Sequence, residues 1–154
     1  MPITIADEHP LTPDLELLFQ RHTADMHADT PPESIHMMDK GALAAPGIRF
    51  FVLRDAGAPL AMGAFKRIDA THAEIKSMHV LHEARGRGLS KAMLEHLVAA
   101  AQADGFHRLS LETGVQPTFV AARALYERAG FAECPPFEGY EDDPNSVFMT
   151  KALA

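Results

Sequence analysis

A glycine-rich basic loop is the segment of this 154-residue sequence that most directly indicates chemistry. It lies between a predicted strand and a predicted helix and contains Arg85, Gly86, Arg87, Gly88, Leu89 and Ser90. The first backbone N–H groups of a helix have no partner within the helix, and glycines let ligand oxygens approach them. With two arginines beside these groups, the loop is suited to a small polyanion such as a diphosphate. It matches neither the P-loop nor the G-x-G-x-x-G dinucleotide pattern.

The distribution of charge along the chain supports a confined anion site. The chain has 14 Lys and Arg against 21 Asp and Glu, a net charge of −7 with histidine neutral. Residues 76–91 carry a net charge of +3, which leaves −10 for the remainder. This balance excludes a general nucleic-acid binder, which needs a basic face to neutralise phosphates.

A second motif lies on a later predicted helix. The segment 122–131 has the pattern A-x-x-L-Y-E-x-x-G-F, and the loop at 85–90 has the pattern R-x-x-G-x-S. Together they resemble the GNAT superfamily of acyl-CoA-dependent N-acetyltransferases, and the resemblance covers nearly the whole chain in element order. It implies a mixed sheet that splays open between its fourth and fifth strands, with acetyl-CoA as cosubstrate in the split.

The resemblance also implies roles for individual residues. The pantetheine arm of acetyl-CoA would pair with the backbone of the fourth strand at Met78, His79 and Val80. The backbone amides of residues 85–90 would hold the pyrophosphate, and the later helix would contact the cosubstrate at Ala122 and Tyr126. Tyr126 falls on the position that family members often use as general acid.

Two residues depart from the family pattern. Ser90 stands where Gly or Ala is usual, and because serine is small and exposes its N–H, we expect cosubstrate binding to survive. Phe119 stands where many members carry Asn, which we expect to remove one polar contact to the pantetheine arm.

Transfer of an acetyl group to an amine requires three tasks: deprotonation of the ammonium, stabilisation of an oxyanion and protonation of the thiolate. Tyr126 suits the third if its surroundings lower its pKa from about 10 towards that of a thiol, about 8.5. A backbone N–H near Met78 or His79 suits the second. Glu74 is the first candidate for the base, and Glu112, His79 and a bound water are the alternatives. Strand alternation predicts that the His79 side chain points away from the substrate.

The acceptor is suggested only by acidic segments near both ends of the chain. Residues 7–39 contain eight acidic residues and Arg21, and residues 129–150 contain five acidic residues and no basic one. Such walls suit a cationic small-molecule amine, such as a polyamine. His36 and Tyr140 are candidates to line the site. A non-catalytic acyl-CoA sensor and a protein or peptide N-acetyltransferase are the alternatives.

Hydrophobic periodicity places these residues on alternating strands and helices. It predicts strands at 3–6, 49–54, 60–66, 73–80, 109–113, 131–134 and 146–150, and helices at 13–28, 33–43, 89–103 and 119–129. The strand–helix–strand order between 73 and 113 implies one parallel pair. We therefore predict a single α/β domain over residues 1–154, with a mixed, mostly antiparallel central sheet splayed at the parallel pair and helices on both faces.

The remaining features narrow the class of protein further. Cys134 is the single cysteine, and no H-E-x-x-H motif accompanies the nine histidines, so we predict neither a disulfide framework nor a metal site. The first ten residues have no leader pattern, and the apolar run 97–103 is too short to span a bilayer, so we expect no membrane association and a cytoplasmic location. The apolar strand at 147–149 offers an edge for a possible homodimer.

Overall fold

A single mixed sheet of seven strands forms the centre of the molecule. The computed structural model describes residues 3–31, 33, 38, 40–116, 119–137 and 139–153, apart from the side chain of Asp29. The strands are β1 (Ile3–Asp7), β2 (Ile48–Asp55), β3 (Ala58–Arg67), β4 (His72–Val80), β5 (Arg108–Gly114), β6 (Ala132–Glu133) and β7 (Ser146–Ala152). Their order across the sheet is β1-β2-β3-β4-β5-β7-β6, and among the strands of the described residues only β4 and β5 pair in parallel. The predicted α/β fold class is confirmed.

Three α-helices accompany the sheet in the described residues: α1 (Glu16–Asp29), α2 (Leu89–Ala103) and α3 (Val120–Arg128). A short 3-10 turn, Pro13–Leu15, precedes α1, so the predicted helix 13–28 is present with its first turn tightened. Most of the predicted helix 33–43 lies outside the described residues, and Ala42–Ala44 form a 3-10 turn. The strand predicted at 131–134 is shorter, since only Ala132 and Glu133 pair with β7.

The helices α1 and α2 pack on opposite faces of the sheet. Phe50 of β2 stacks on Phe19 of α1 with ring centroids 5.8 Å apart, and the next residue, Phe51, meets His96 of α2 edge-on at 4.8 Å. Successive strand residues point to opposite faces, so the two contacts define an α1 face and an α2 face. The core lies in both layers, where its fully buried members include Leu18, Phe65, Met93, Leu97 and Leu111.

A glycine in β3 sets how closely α2 approaches the sheet. A Cβ at Gly63 would lie 3.1 Å from both Met93 Cγ and Leu97 Cδ1 of α2. The strands β2 and β3 form an antiparallel hairpin, which holds β3 beneath this helix. The start of α2, and with it the loop at 85–90, is therefore fixed relative to the neighbouring strand β4.

Candidate active site

A deep cleft opens where β4 and β5 part. The two strands pair only at His72–Arg108, Ala73–Leu109 and Glu74–Ser110. Beyond Glu74 they separate around a cleft of about 1290 Å³, lined by residues 74–80, 111–114 and side chains of all three helices. The split expected between the fourth and fifth strands is thus present, and it contains most of the predicted site residues.

A β-bulge at Ser77 changes which side chains of β4 face each side of the sheet. Ala64 of β3 pairs with Lys76, but Met62 pairs with His79, so β4 has one residue more than β3 over this stretch. Ser77 accommodates the extra residue with a φ of 55°, in the left-handed region. His79 therefore lies on the same face as Lys76, and the expectation that alternation turns it away is wrong.

The carbonyl of Val80 faces the cleft. The amide of Leu81 donates to the carbonyl of Leu60 in β3 at 2.9 Å, so by antiparallel alternation the backbone groups of Val80 point away from β3. The Val80 carbonyl accepts a hydrogen bond from Arg85 Nε at 3.2 Å. The free edge of β4 thus presents the backbone at the position expected for pairing with an extended ligand.

The loop before α2 presents free backbone amides to the mouth of the cleft. Gly86 and Gly88 have φ of 85° and 76°, which glycine adopts without strain. No atom of the described residues lies within 4 Å of a Cβ built on either glycine. The first backbone bond into α2 runs from Ala92 N to Gly88 O, so the preceding amides have no helical partner. Arg85, Gly86, Gly88, Leu89 and Ser90 all line the cleft.

Arg87 takes a different direction from the rest of the loop. Its guanidinium pairs with the carboxylate of Asp55, at the end of β2, with an N–O distance of 2.6 Å. Neither side chain is among those that line the cleft. The sequence could not anticipate this pairing, because 32 residues separate the two partners.

Tyr126 of α3 lies in the lining of the cleft with Ala122 and Leu125. It is buried, and its ring packs edge-on against Phe131 at 5.8 Å. Burial, and secondarily the charge of Glu112, raises the pKa of Tyr126 to about 12. The sequence-based expectation was a lowered pKa, which would favour proton donation to a thiolate, and the structure gives the opposite direction. The Tyr126 hydroxyl therefore keeps its proton at neutral pH.

Phe119 closes the cleft at the start of α3. It occupies the N-cap position and lines the cleft, and its ring lies so close to Gly114 that a Cβ there would collide with it. Arg123 Nη1 donates to the Gly114 carbonyl at 2.5 Å, which ties α3 to the end of β5. Phe119 therefore contributes an apolar contact at the position where many family members carry Asn.

Glu74 is a buried carboxylate with two donors on one oxygen. The Tyr140 hydroxyl donates to Glu74 Oε2 at 2.6 Å, and Lys76 Nζ lies 3.2 Å from the same oxygen. Glu74 is 3% exposed, and it lines the cleft together with Lys76. The structure thus brings Glu74, the first-ranked candidate base, together with Tyr140, a candidate to line the acceptor site, and it adds Lys76, which the sequence did not single out beside them.

Two neutral imidazoles, those of His22 and His79, line the α1 face of the cleft beyond Glu74 and Lys76. The rings of His79 and His22 of α1 lie 5.3 Å apart, and His79 Nδ1 is 3.8 Å from Asp25 Oδ2, which also accepts from Arg85 at 2.9 Å. Burial lowers the pKa of both histidines to about 4. The sequence signal for this cluster is the spacing of His22, which falls at helical period with the apolar residues of the helix predicted at 13–28, namely Leu15, Leu18, Phe19 and Met26.

Most acidic residues near the N-terminus are used elsewhere in the fold. Asp7 pairs with Arg49, Glu8 and Asp14 with Arg54, and Glu16 with Lys40. Of the acidic residues in the segment 7–39 that the structure describes, Asp25 lines the cleft. The charges of these four carboxylates are therefore balanced by ion pairs with side chains that do not line the cleft. His36 and Glu138 lie outside the described residues.

The described part of the chain also bears on metal binding and membrane insertion. No group of three or more His, Cys, Asp or Glu side chains there is arranged to hold a metal ion. None of the helices in this part is both long enough and apolar enough to cross a bilayer.

A sheet that splits at its parallel pair, with a helix N-terminus at the mouth of the split, is the arrangement that the resemblance implied for an acyl-CoA-dependent N-acyltransferase. The chain belongs to the acetyltransferase (GNAT) family, whose pattern matches residues 14–131. It is an acetyl-CoA-dependent N-acetyltransferase, as the sequence predicted.

Curated relatives and solved structures match over nearly the full length. An uncharacterized N-acetyltransferase of Bacillus subtilis (strain 168), YsnE, is 43% identical over 136 residues, 88% of this chain and 90% of the relative. The IAA acetyltransferase of Azospirillum brasilense is 39% identical and covers 98% of each chain. The crystal structure of a protein assigned as an acyl-CoA N-acyltransferase from Klebsiella pneumoniae has a TM-score of 0.79 at 28% identity, covering 99% of this chain and 98% of its own.

Proposed function

We propose that this chain transfers the acetyl group of acetyl-CoA to a primary amine of a small molecule, by direct attack while both substrates are bound. The observation that carries the proposal is the shared cleft, which a carboxylate, Glu74, and a phenol, Tyr126, both line. The name of the Azospirillum relative, an IAA acetyltransferase, supports a small-molecule acceptor.

The residues around the cleft fit acetyl-CoA. The backbone amides of residues 86–90 suit the pyrophosphate, whereas the amide of Arg85 donates to the carbonyl of His82 at 3.2 Å. Arg85 and Lys91 add positive charge in the lining of the cleft. The Val80 carbonyl, with Met78 and His79 beside it, suits pairing with the amides of the pantetheine arm, and Ala122 lines the path beside Tyr126. When bound, acetyl-CoA supplies the acetyl thioester.

Glu74 is the group that we assign as base. Its Oε1 accepts a proton from the ammonium of the acceptor, and the free amine then attacks the thioester carbonyl. A backbone N–H near Met78 or His79, beside the bulge, donates a hydrogen bond to the oxygen that gains charge. His79, Glu112 and a bound water remain the alternatives for the base; the neutral His79 is able to accept a proton.

Tyr126 stabilises the leaving sulfur. With a pKa of about 12 it keeps its proton and donates a hydrogen bond to the developing thiolate. Complete transfer of that proton to a thiolate whose thiol has a pKa of about 8.5 costs about 5 kcal/mol, since each unit of difference is about 1.4 kcal/mol. We therefore assign Tyr126 a hydrogen-bonding role. As the tetrahedral intermediate collapses, the carbon–sulfur bond breaks, and the proton that the nitrogen loses when the amide forms neutralises the departing thiolate.

The acceptor requires one ammonium group rather than many. Glu74 is the buried carboxylate of the cleft, whereas the acids at 7–16 pair with arginine and lysine outside it. Lys76 beside Glu74 repels a second positive charge at the same place. A monoamine is therefore a better candidate than a polyamine.

Release of free CoA thiol, measured with acetyl-CoA and pools of small amines, tests the proposal, with mass analysis identifying the acetylated product. We expect turnover with at least one monoamine pool, and weaker turnover with polyamines. Tight acetyl-CoA binding without thiol release from any pool would favour the sensor. Acetylation of peptides alone would favour a protein N-acetyltransferase.

A further inference from the structure

We propose that Lys76 and Tyr140 are positioning residues, which hold the Glu74 carboxylate so that its Oε1 faces the bound amine. This inference rests on the proposed function, because it assigns a task to the residues that surround the proposed base. Neither side chain needs to touch the reacting atoms; both act through Glu74.

The contacts form a closed triangle around one carboxylate oxygen. Tyr140 Oη donates to Glu74 Oε2 at 2.6 Å, Lys76 Nζ lies 3.2 Å from that oxygen, and Lys76 Nζ donates to Tyr140 Oη at 2.7 Å. Within the part of the chain that the structure describes, Glu74 Oε1 has no hydrogen-bond partner. Both donors thus leave the other oxygen available to the cleft.

Burial strengthens the difference between the two carboxylate oxygens of Glu74. The Glu74 side chain is 4% exposed and that of Lys76 is 12% exposed, so little water competes for the carboxylate. A glutamate has several rotamers, and the two donors select one of them, which lowers the entropy lost when the amine docks. Charge-assisted hydrogen bonds are the stronger ones, so the selection is well determined.

The direction of hydrogen bonding follows from the protonation of Tyr140. Burial, together with the charge of Glu74, raises the pKa of the Tyr140 phenol, so it remains a donor. The ring is held by Phe137 and Phe148, each with its centroid 5.3 Å away, in the connection that leads into β7 and at β7 itself. The hydroxyl is thus delivered to Glu74 by an element 66 residues away in sequence.

A double-mutant cycle separates positioning from a purely structural role. The assay uses acetyl-CoA and the most rapidly acetylated amine of the pools. We expect Tyr140→Phe to lower kcat about tenfold with the KM for acetyl-CoA unchanged, and to change kcat less than about twofold in a Glu74→Gln background. Lys76→Met should behave alike. An equal loss in both backgrounds, or no loss in either, would overturn the proposal.

Val52→Ala is the matched control for packing. Val52 is buried in β2 on the same face of the sheet as Glu74 but does not line the cleft, so we expect a lower Tm with kcat within about twofold of the parent. A fall in kcat as large as that of Tyr140→Phe would show that general loss of packing, rather than loss of the hydrogen bond, lowers kcat, against the proposal.

A titration without any substrate tests the contact independently of activity. The chain has two tyrosines and no tryptophan, so in a Tyr126→Phe background the tyrosinate absorbance reports Tyr140 alone. We expect ionisation well above the ordinary tyrosine range, and an earlier onset in Glu74→Gln. Ionisation at the same pH in both chains contradicts the Tyr140–Glu74 contact. If the titration supports the Tyr140–Glu74 contact but no amine is acetylated, the proposed function is contradicted, whereas the contact itself is supported.

Discussion

Lys76 and His79 lie on the same face of β4 although they are three residues apart. In a regular strand, residues three apart point to opposite faces, and the bulge at Ser77 reverses the alternation. Glu74, Lys76 and His79 consequently form one row on the α1 face, where His79 meets His22. The carbonyl of Val80, beyond the bulge, faces the cleft. The bulge at Ser77 therefore lies between the side chains proposed to act on the amine and the backbone proposed to bind acetyl-CoA.

The bulge predicts how substitutions at Ser77 affect stability. A β-branched residue is strongly disfavoured at a φ of 55°, whereas glycine adopts it freely. We expect Ser77→Val to lower the free energy of unfolding by about 1–3 kcal/mol relative to Ser77→Gly, as measured by urea denaturation. Equal stability of the two variants would mean that the backbone at Ser77 is not held in the left-handed region.

The same bulge marks the limit of prediction from the sequence. Periodicity located β4 correctly, but a serine gives no signal for a left-handed residue, so the face of His79 was assigned wrongly. The loop at 85–90 was predictable because all its residues are adjacent in sequence. The contact of Glu74 with Tyr140 was not, because it depends on how β7 and its preceding connection pack on the sheet.

The glycines of the loop before α2 predict a binding defect that is separable from loss of stability. Gly88→Ala introduces strain at a φ of 76° but meets no neighbouring atom, so the loop adjusts and its amides move. We expect the Kd for acetyl-CoA, measured by calorimetry, to rise about tenfold, and Gly88→Asn to be milder because Asn tolerates this conformation.

Gly57 provides the control for that measurement. It has a φ of 91° and equally open surroundings, but it lies in the turn between β2 and β3. Gly57→Ala should cost comparable stability without changing the Kd for acetyl-CoA. A comparable rise in Kd for Gly57→Ala would show that general destabilisation, and not the position of the amides, weakens binding.

Tyr126 predicts a defect in turnover rather than in binding. Tyr126→Phe keeps the edge-on contact with Phe131 and removes only the hydroxyl. Since loss of one donor to a developing charge costs about 10²–10³ in rate, we expect kcat to fall by about that factor with little change in the KM for acetyl-CoA. The kcat of Tyr126→Phe is compared with that of Leu125→Met. This second variant changes a neighbouring side chain in the lining of the cleft and removes no polar group. Full turnover by Tyr126→Phe would remove the hydroxyl from the mechanism.

His22 and His79 predict a loss of stability in mildly acidic solution. Burial lowers the pKa of each to about 4, from about 6.5 in the unfolded chain, so acid protonates the unfolded state first. Their neutral forms therefore stabilise the fold fully above pH 6.5, and that contribution falls as the pH drops from 6.5 to 4, by up to about 3 kcal/mol for one imidazole. Carboxylates whose pKa is lowered by ion pairs, such as Asp14, act only below this window.

Urea denaturation at pH 7 and pH 5 measures this dependence directly. We expect His22→Gln to reduce the stability lost between the two pH values, because glutamine does not titrate. His27→Gln, on the exposed side of the same helix, should lose as much as the parent chain. Equal losses in all three chains would contradict the assignment, because a buried neutral imidazole at His22 cannot be removed without flattening the pH dependence between 6.5 and 4.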